Sequence, residues 1–397
     1  MKGIRILLFF LSFNLTAQEV RIGLFYADAV QSFTVSPVRS RYVLFIDSIP
    51  SDTLCPGSIL YISLMNDKLS IQRPDNPPVG CLTVELEALD TNGIFSIRPA
   101  FPAKEKRLYD DNVHFRADVN RILAINRVQF DKYIAGVIES EGGTKAHPEY
   151  YKAQAVLCRT YALANITRHK EEGFDLCDGV HCQAYLSRSD KNGEILNAVR
   201  QTHGEVAVWN DTILITAAFH SNCGGETQSS TAEWVLDMPY LQPVRDPYCR
   251  ESRNARWQKT FSLSEWKQYL TGAGIALTDS FPPSRFKFVQ LQRKRFYPLG
   301  NDSLPLRKIR NDLGLRSSFF SVSFVPPDKI VLDGRGYGHG IGLCQEGAMQ
   351  MALKGFDYRE ILFFIFIWTN HLYAARGVLG ATIVAALIIM LIKYLIV

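Results

Sequence analysis

The residue best placed for acid–base chemistry in this 397-residue chain is Glu141. In the stretch DKYIAGVIESEGGTKAHPEYYKAQAVLCRTYALANIT, residues 131–167, Ile134, Val137 and Ile138 recur at the spacing of one helical face. Glu141 follows at i+7 from Ile134, so an apolar face ends in a carboxyl group before Gly142 and Gly143 stop the helix. An apolar edge disfavours the charged form and raises a carboxyl pKa, which suits a general acid near neutral pH. The competing reading is a solvated glutamate at a helix end. Lys152 and Arg159 share a face of the next helix with Ala155 and Val156. They are either surface cations or partners for a polar or anionic ligand beside the acid.

Three further groups carry chemistry. Cys177, His181 and Cys182 form a C-x3-H-C cluster in FDLCDGVHCQAYL. Soft sulfur with imidazole suits a structural Zn2+, provided a bend brings His181 and Cys182 to one side; a Cys177–Cys182 disulfide is the alternative. In ILITAAFHSNCGGETQSS a strand runs into a polar loop bearing His220, Ser221, Cys223 and Thr227. The absence of a G-x-S-x-G elbow speaks against a serine nucleophile, and Cys223 stays open as a fourth metal ligand or a disulfide partner. Trp234 and Tyr240 follow, with rings that serve either sugar stacking or core packing. Last, GRGYGHGIGLCQEGAMQMALKGFDYREIL sets five glycines, Gly334 to Gly342, around Tyr337 and His339. The spacing fits neither a phosphate loop nor a dinucleotide fingerprint, and it lets backbone approach another chain or a ligand closely.

The elements that must position these residues are of mixed type. Asp131 is a candidate N-cap for the first helix, and Pro148 suits the first turn of the second. Helix-then-strand patterning from Ile195 to Trp209, a helix at SLSEWKQYL and another from about Cys344 to Leu353 complete the helical set. VRIGLFY, RYVLFI, ILYISL and CLTVELEAL read as strands separated by turn residues, and YDDNVHFRADVNRILAINRVQF as two more. The expected class is α+β, with helices and antiparallel strands around a cleft, a β-rich N-terminal region and an apolar C-terminal helix. The expected division is 1–17, 18–108 as an accessory region, 109–365 as the chemical domain and a tail at 376–397.

Composition supports a folded chain of two or three domains, with 47% hydrophobic and 21% charged residues. A net charge of +5 permits an anionic polymer as partner, and no basic block interleaved with aromatics points to nucleic acid. Lys2 and Arg5 precede the apolar run Ile6 to Phe13, the form of a secretory signal peptide cleaved after Ala17. Gly377 to Val397, broken only by Lys393, is long enough to span a bilayer and is expected to anchor the chain; a buried final helix is the alternative. Export permits disulfides among eight cysteines, with Cys55–Cys81 and Cys223–Cys249 as candidate pairs and Cys158 as a buried free thiol.

Three blocks in order, YIAGVIESEGGTKAHPEYYKAQAVLCRTYAL, AFHSNCGGETQSS with the following EW and PYL, and the glycine-rich block above, cover roughly Tyr109 to Leu362. With them the chain resembles the family of stage II sporulation protein D and the amidase enhancer LytB. That resemblance implies lytic cleavage of peptidoglycan between N-acetylmuramic acid and N-acetylglucosamine, leaving a 1,6-anhydro end. It selects Glu141 over Glu139 as catalytic acid and places Lys152 and Arg159 along the cleft. With them His220, Thr227, Tyr240, His339 and Gln345 form the expected substrate-binding set. It also implies zinc on Cys177, His181 and Cys182 in some members. Glycan strands are the implied ligand, a cell-wall amidase the implied protein partner, and the periplasm or envelope the location. A non-enzymatic amidase-enhancing module is the alternative. Gly142 and Gly143 stand where the family has Met and Pro after the acid, and the apolar tail has no counterpart in the family.

Overall fold

The computed structural model describes residues 19–367 except 75, 211, 212, 235, 279 and 280. The expected signal peptide and the apolar tail at 376–397 lie outside the described residues. Within those residues no helix is long and apolar enough to cross a membrane. The fold is α+β, in two compact units, one running to Val208 and the other holding Ala217 onward.

Two sheets build the first unit. The seven-stranded sheet has the order Leu176–Cys177, Glu19–Leu24, Arg121–Gln129, Asn112–Asp118, Thr83–Ala88, Tyr42–Ile46, Ile49–Leu54. Its pairings are antiparallel except the parallel one between Leu176–Cys177 and Glu19–Leu24. The six-stranded sheet runs Arg107–Asp110, Ile94–Phe101, Ser32–Arg39, Leu60–Met65, Lys68–Gln72, Val79–Cys81. Alternation gives Ser32–Arg39 its buried side, with Phe33, Val35 and Pro37 pointing inward. The sheets meet through contacts such as Phe33 on Phe115, with ring centroids 5.8 Å apart. Asn112–Asp118 pairs with both Thr83–Ala88 and Arg121–Gln129, so the β-rich region and the strands leading to Glu141 share one sheet across residue 108.

Three helices follow in this unit: α1 (Phe130–Gly142), α2 (Pro148–Ala164) and α3 (Gly193–Gln201). Helix α1 starts one residue before Asp131, which therefore sits in the first turn and not at the cap. Its face of Ile134, Val137 and Ile138 is fully buried, as the periodicity predicts. Helix α2 begins at Pro148 behind His147, whose ring accepts from the Glu149 N–H.

The second unit has its core around an antiparallel sheet of Arg256–Ser262, Lys329–Arg335 and Phe320–Val325, with Ile330 fully buried in the sheet and Trp266, Leu270 and Tyr297 fully buried beside it. Helices α4 (Leu263–Gly272) and α5 (Leu306–Asp312) contribute to that core. Ser262 caps α4 with a reciprocal Glu265 bond. A parallel pairing joins Phe219–His220 to Leu343–Cys344, just before α6 (Gln345–Leu353) and α7 (Tyr358–Ile367). Gly336, Gly338, Gly340 and Gly342 all have positive φ, between 70° and 106°. A Cβ on Gly336 would lie 2.6 Å from the Asn222 carbonyl oxygen, and one on Gly338 2.9 Å from the His220 Cβ. The alternating glycines therefore let residues 336–342 lie flat against residues 218–224.

Candidate functional site

Glu141 ends the buried face of α1 and is half-buried. Its Oε1 accepts the Ala184 backbone N–H at 2.9 Å. Burial pushes the carboxyl above its usual range, and the Ala184 N–H pulls only part of the way back. Glu139 is differently placed: it is 8% exposed, and its Oε2 accepts from Ser189 Oγ and from the Lys191 N–H. One carboxylate is thus committed to holding the 189–191 turn while the other ends the apolar face. Gly142 has a physical reason to be glycine, because a Cβ there would come 2.7 Å from the Tyr150 hydroxyl. Gly143, at φ 74°, ends the helix.

The segment that reaches Glu141 also carries the sulfur ligands. Cys177, His181 and Cys182 converge, and His169 joins them, with all four ligand atoms within 4.8 Å of one another. The turn that closes on Gly179, whose carbonyl accepts the Cys182 N–H at 3.0 Å, supplies the bend the sequence demanded. His181 Nδ1 lies 3.7 Å from Cys177 Sγ and 3.8 Å from Cys182 Sγ, and His169 Nε2 lies 3.6 Å from Cys182 Sγ. These are close to the edges of a tetrahedron about Zn2+, about 3.4–3.8 Å for bonds of about 2.0–2.3 Å. His169 Nδ1 meets Glu172 Oε1 at 2.6 Å, which directs the Nε2 lone pair into the cluster, and Glu172 is itself held by the Tyr26 hydroxyl. The Cys182 thiol is lowered to about 6 by the Cys177 thiol, while Cys177 is raised to about 12 by the same contact.

Sequence reasoning counted three ligands here, and the fourth was missed because His169 lies beyond the end of α2, eight residues before Cys177. Cys223 does not complete this set; it sits in the second unit with Cys249 and Cys344. All eight cysteines are free thiols, so neither Cys177–Cys182, Cys55–Cys81 nor Cys223–Cys249 is bonded. Cys158 is buried in α2 as expected.

The cation pair separates. Lys152 is half-buried and forms an ion pair with Glu149 at 2.6 Å. Arg159, expected along the cleft, has a side chain that is 1% exposed. It donates to the carbonyl oxygens of Val199 and Glu205 at 3.1 Å and pairs with Asp131 at 3.5 Å. It therefore ties α2 to α3, which covers that part of the face.

The remaining expected residues belong to the second unit. His220 is buried, with Nδ1 donating to the Ile341 carbonyl at 3.0 Å and Nε2 without a hydrogen-bond partner among the described residues. His339 accepts from the Ile341 N–H at Nδ1 and donates from Nε2 to the Phe219 carbonyl, both at 3.0 Å. Burial lowers both imidazoles, His339 to about 4, so they are neutral near pH 7. The two rings are 5.5 Å apart, and Trp234 stands 5.8 Å from His339. Thr227 is 3% exposed, and its hydroxyl accepts the Val244 N–H at 2.7 Å as part of a backbone link. Tyr240 stacks obliquely on Trp209 at 5.3 Å, and Gln345 is buried in the first turn of α6. A cavity of about 670 Å³ in this unit is lined by Trp234, Glu233, Arg295, Phe296 and Arg307 among others. None of the expected substrate residues lines it, and its signal in the sequence was Trp234 alone.

Residues 118–209, which hold Glu141 and all four members of the His169 cluster, match the family model described as stage II sporulation protein. Stage II sporulation protein D of Bacillus amyloliquefaciens is 30% identical over 254 residues, covering 60% of this chain and 73% of that one. An uncharacterised protein of Brachyspira hyodysenteriae is also 30% identical, over 62% of this chain and 67% of its own. The amidase enhancer of Bacillus subtilis is 28% identical over 289 residues, 60% of this chain and 40% of its own. With its acid-ended helix and the segment that returns to it both inside the matched region, the chain belongs to the stage II sporulation protein D family.

Proposed function

We propose that the protein is an exported lytic transglycosylase acting on peptidoglycan glycan strands, with Glu141 as its one catalytic acid and base. The observation that carries this reading is the half-buried Glu141 carboxyl, raised by burial at the end of an apolar helix face and aimed by the Ala184 N–H. A hydrolytic glycosidase ordinarily needs two carboxylates, because an external water must be activated. Here the muramic acid C6 hydroxyl is the nucleophile. Glu141 gives its proton to the glycosidic oxygen as the bond to C1 breaks. Its carboxylate then takes the C6 hydroxyl proton as that oxygen bonds to C1, which closes the 1,6-anhydro ring and restores the acid. Lys152, at the start of α2, remains a substrate-contact candidate in the unit of Glu141; the neutral His220 and His339, with Tyr240 and Gln345, are candidates within the second unit by itself.

His169, Cys177, His181 and Cys182 would hold a structural Zn2+, which supplies a cross-link and a fixed charge. Four protein ligands leave no position for a water or substrate, so the donor set fits a structural and not a hydrolytic site. The relation to an amidase enhancer favours a second reading, a glycan-binding module that recruits or activates a cell-wall amidase. Both readings place the protein in the cell envelope. Incubation of the purified protein with peptide-free glycan strands separates them: release of 1,6-anhydro ends supports the enzyme, and binding without release supports the module.

A further inference from the structure

A second buried cluster lies in the other unit and is independent of the chemistry proposed for Glu141. Cys223 follows the strand Phe219–His220, Cys249 lies in the short helical turn Tyr248–Glu251, and Cys344 caps α6. Asp246 completes the group. The four ligand atoms lie within 4.8 Å of one another, and each residue is at most 3% exposed. A buried thiol alone is an ordinary core residue. Three of them around a buried carboxylate are not, because the carboxylate must be neutralised or paired. Asp246 receives the Tyr248 N–H at 2.9 Å and the Cys223 thiol at 3.3 Å, and no cation forms an ion pair with it among the described residues.

The surroundings are built for anionic sulfur. Cys344 Sγ accepts two backbone N–H groups, from Cys223 at 3.2 Å and Gly347 at 3.4 Å, and Cys249 receives the Gly225 N–H. Gly347 also makes room, for a Cβ there would overlap Asp246 Oδ2. Arg293 brings positive charge alongside, donating to the Cys223 carbonyl at 2.7 Å, while its buried Nη1 has no hydrogen-bond partner among the described residues. Cys223 Sγ stands 3.3 Å from both Cys249 Sγ and Asp246 Oδ2. A disulfide requires about 2.05 Å. Tetrahedral Zn2+ with bonds of about 2.3 Å to sulfur and 2.0 Å to oxygen sets these edges at about 3.8 and 3.5 Å.

We propose that Cys223, Asp246, Cys249 and Cys344 form a structural Zn2+ site, three thiolates and one carboxylate filling its four positions. Binding displaces the thiol protons to solvent, and no oxidant is needed. The ion would staple three chain segments and fix residues 219–225, including His220, against the glycine run at 336–342.

The test uses the full chain, expressed with zinc and dialysed against a weak chelator. The variant His169→Ala/Cys182→Ser disables the first cluster; it should keep one zinc per chain, and adding Cys249→Ser and Cys344→Ser should remove it. Zinc-edge anomalous diffraction from the unaltered chain gives a readout that needs no variant, with a peak expected about 2.3 Å from Cys249 Sγ. A folded His169→Ala/Cys182→Ser chain without zinc, zinc that survives the added serines, or a Cys223–Cys249 disulfide in non-reducing peptide maps each overturns the proposal.

Discussion

The Ala184 backbone N–H donates to Glu141 Oε1, and Ala184 stands two residues beyond Cys182, a member of the first metal-capable cluster. The same segment also gives the Leu186 N–H to Ser140 Oγ at 3.1 Å. Whatever orders the cluster thus orders the donors that set the carboxyl of α1.

A pH dependence follows from that bond. Glu141 is raised by burial and partly lowered by Ala184, so its acid form persists above the ordinary carboxyl range. In the proposed reaction the acid form is the proton donor, so activity should be full below the raised pKa and fall as pH rises through it. In kcat/KM profiles Ala184→Pro, which removes the N–H, should move that falling limb to higher pH. An unchanged or lower limb would show that the N–H does not stabilise the carboxylate.

Metal removal should act through structure. Glu172→Gln weakens the support of His169, and changes in such supporting carboxylates cost about 10–100-fold in metal affinity. Zinc titration of this variant against a competing dye measures the loss. Chelation should lower Tm and activity together; activity lost from a fully folded chain would instead make the metal catalytic.

Arg159→Ala tests whether that guanidinium binds substrate or holds helices. It leaves two carbonyls without their donor and Asp131 with His203 alone, which should cost about 1–3 kcal/mol. Urea unfolding should show that loss, with KM unchanged for the fraction that remains folded. A raised KM at unchanged stability would return Arg159 to the ligand.

Gly142→Ala should destabilise by about 1–3 kcal/mol, because the new methyl meets the Tyr150 hydroxyl. Tyr150→Phe in the same chain should recover part of the loss. A double-mutant cycle measures the coupling, and simple additivity would mean that the two do not compete for that space.

The sequence was most legible where periodicity is local. The buried face of α1, the start of α2 at Pro148 and the helix after Cys344 all came from spacing and cap residues. Glu141 was legible because an apolar face ended in it, but its partner Ala184 lies far along the chain and offers only a backbone N–H. The burial of Arg159 and Thr227 was not legible, because their partners, α3 and Val244, come from elsewhere in the fold. His169 escaped for a similar reason: only the turn at Gly179 shows that it and Cys182 share a centre.

The central claim is that Glu141 carries out the chemistry, and Glu141→Gln tests it most directly. Glutamine keeps the oxygen that accepts from Ala184 and loses the transferable proton. Peptide-free glycan strands incubated with each protein, with products measured by mass, should show 1,6-anhydro ends from the unaltered chain. Their release should fall by about 10²–10⁴-fold in the variant, with an unchanged circular-dichroism spectrum. Equal rates of anhydro release from both proteins, or reducing ends in place of anhydro ends, would contradict the account.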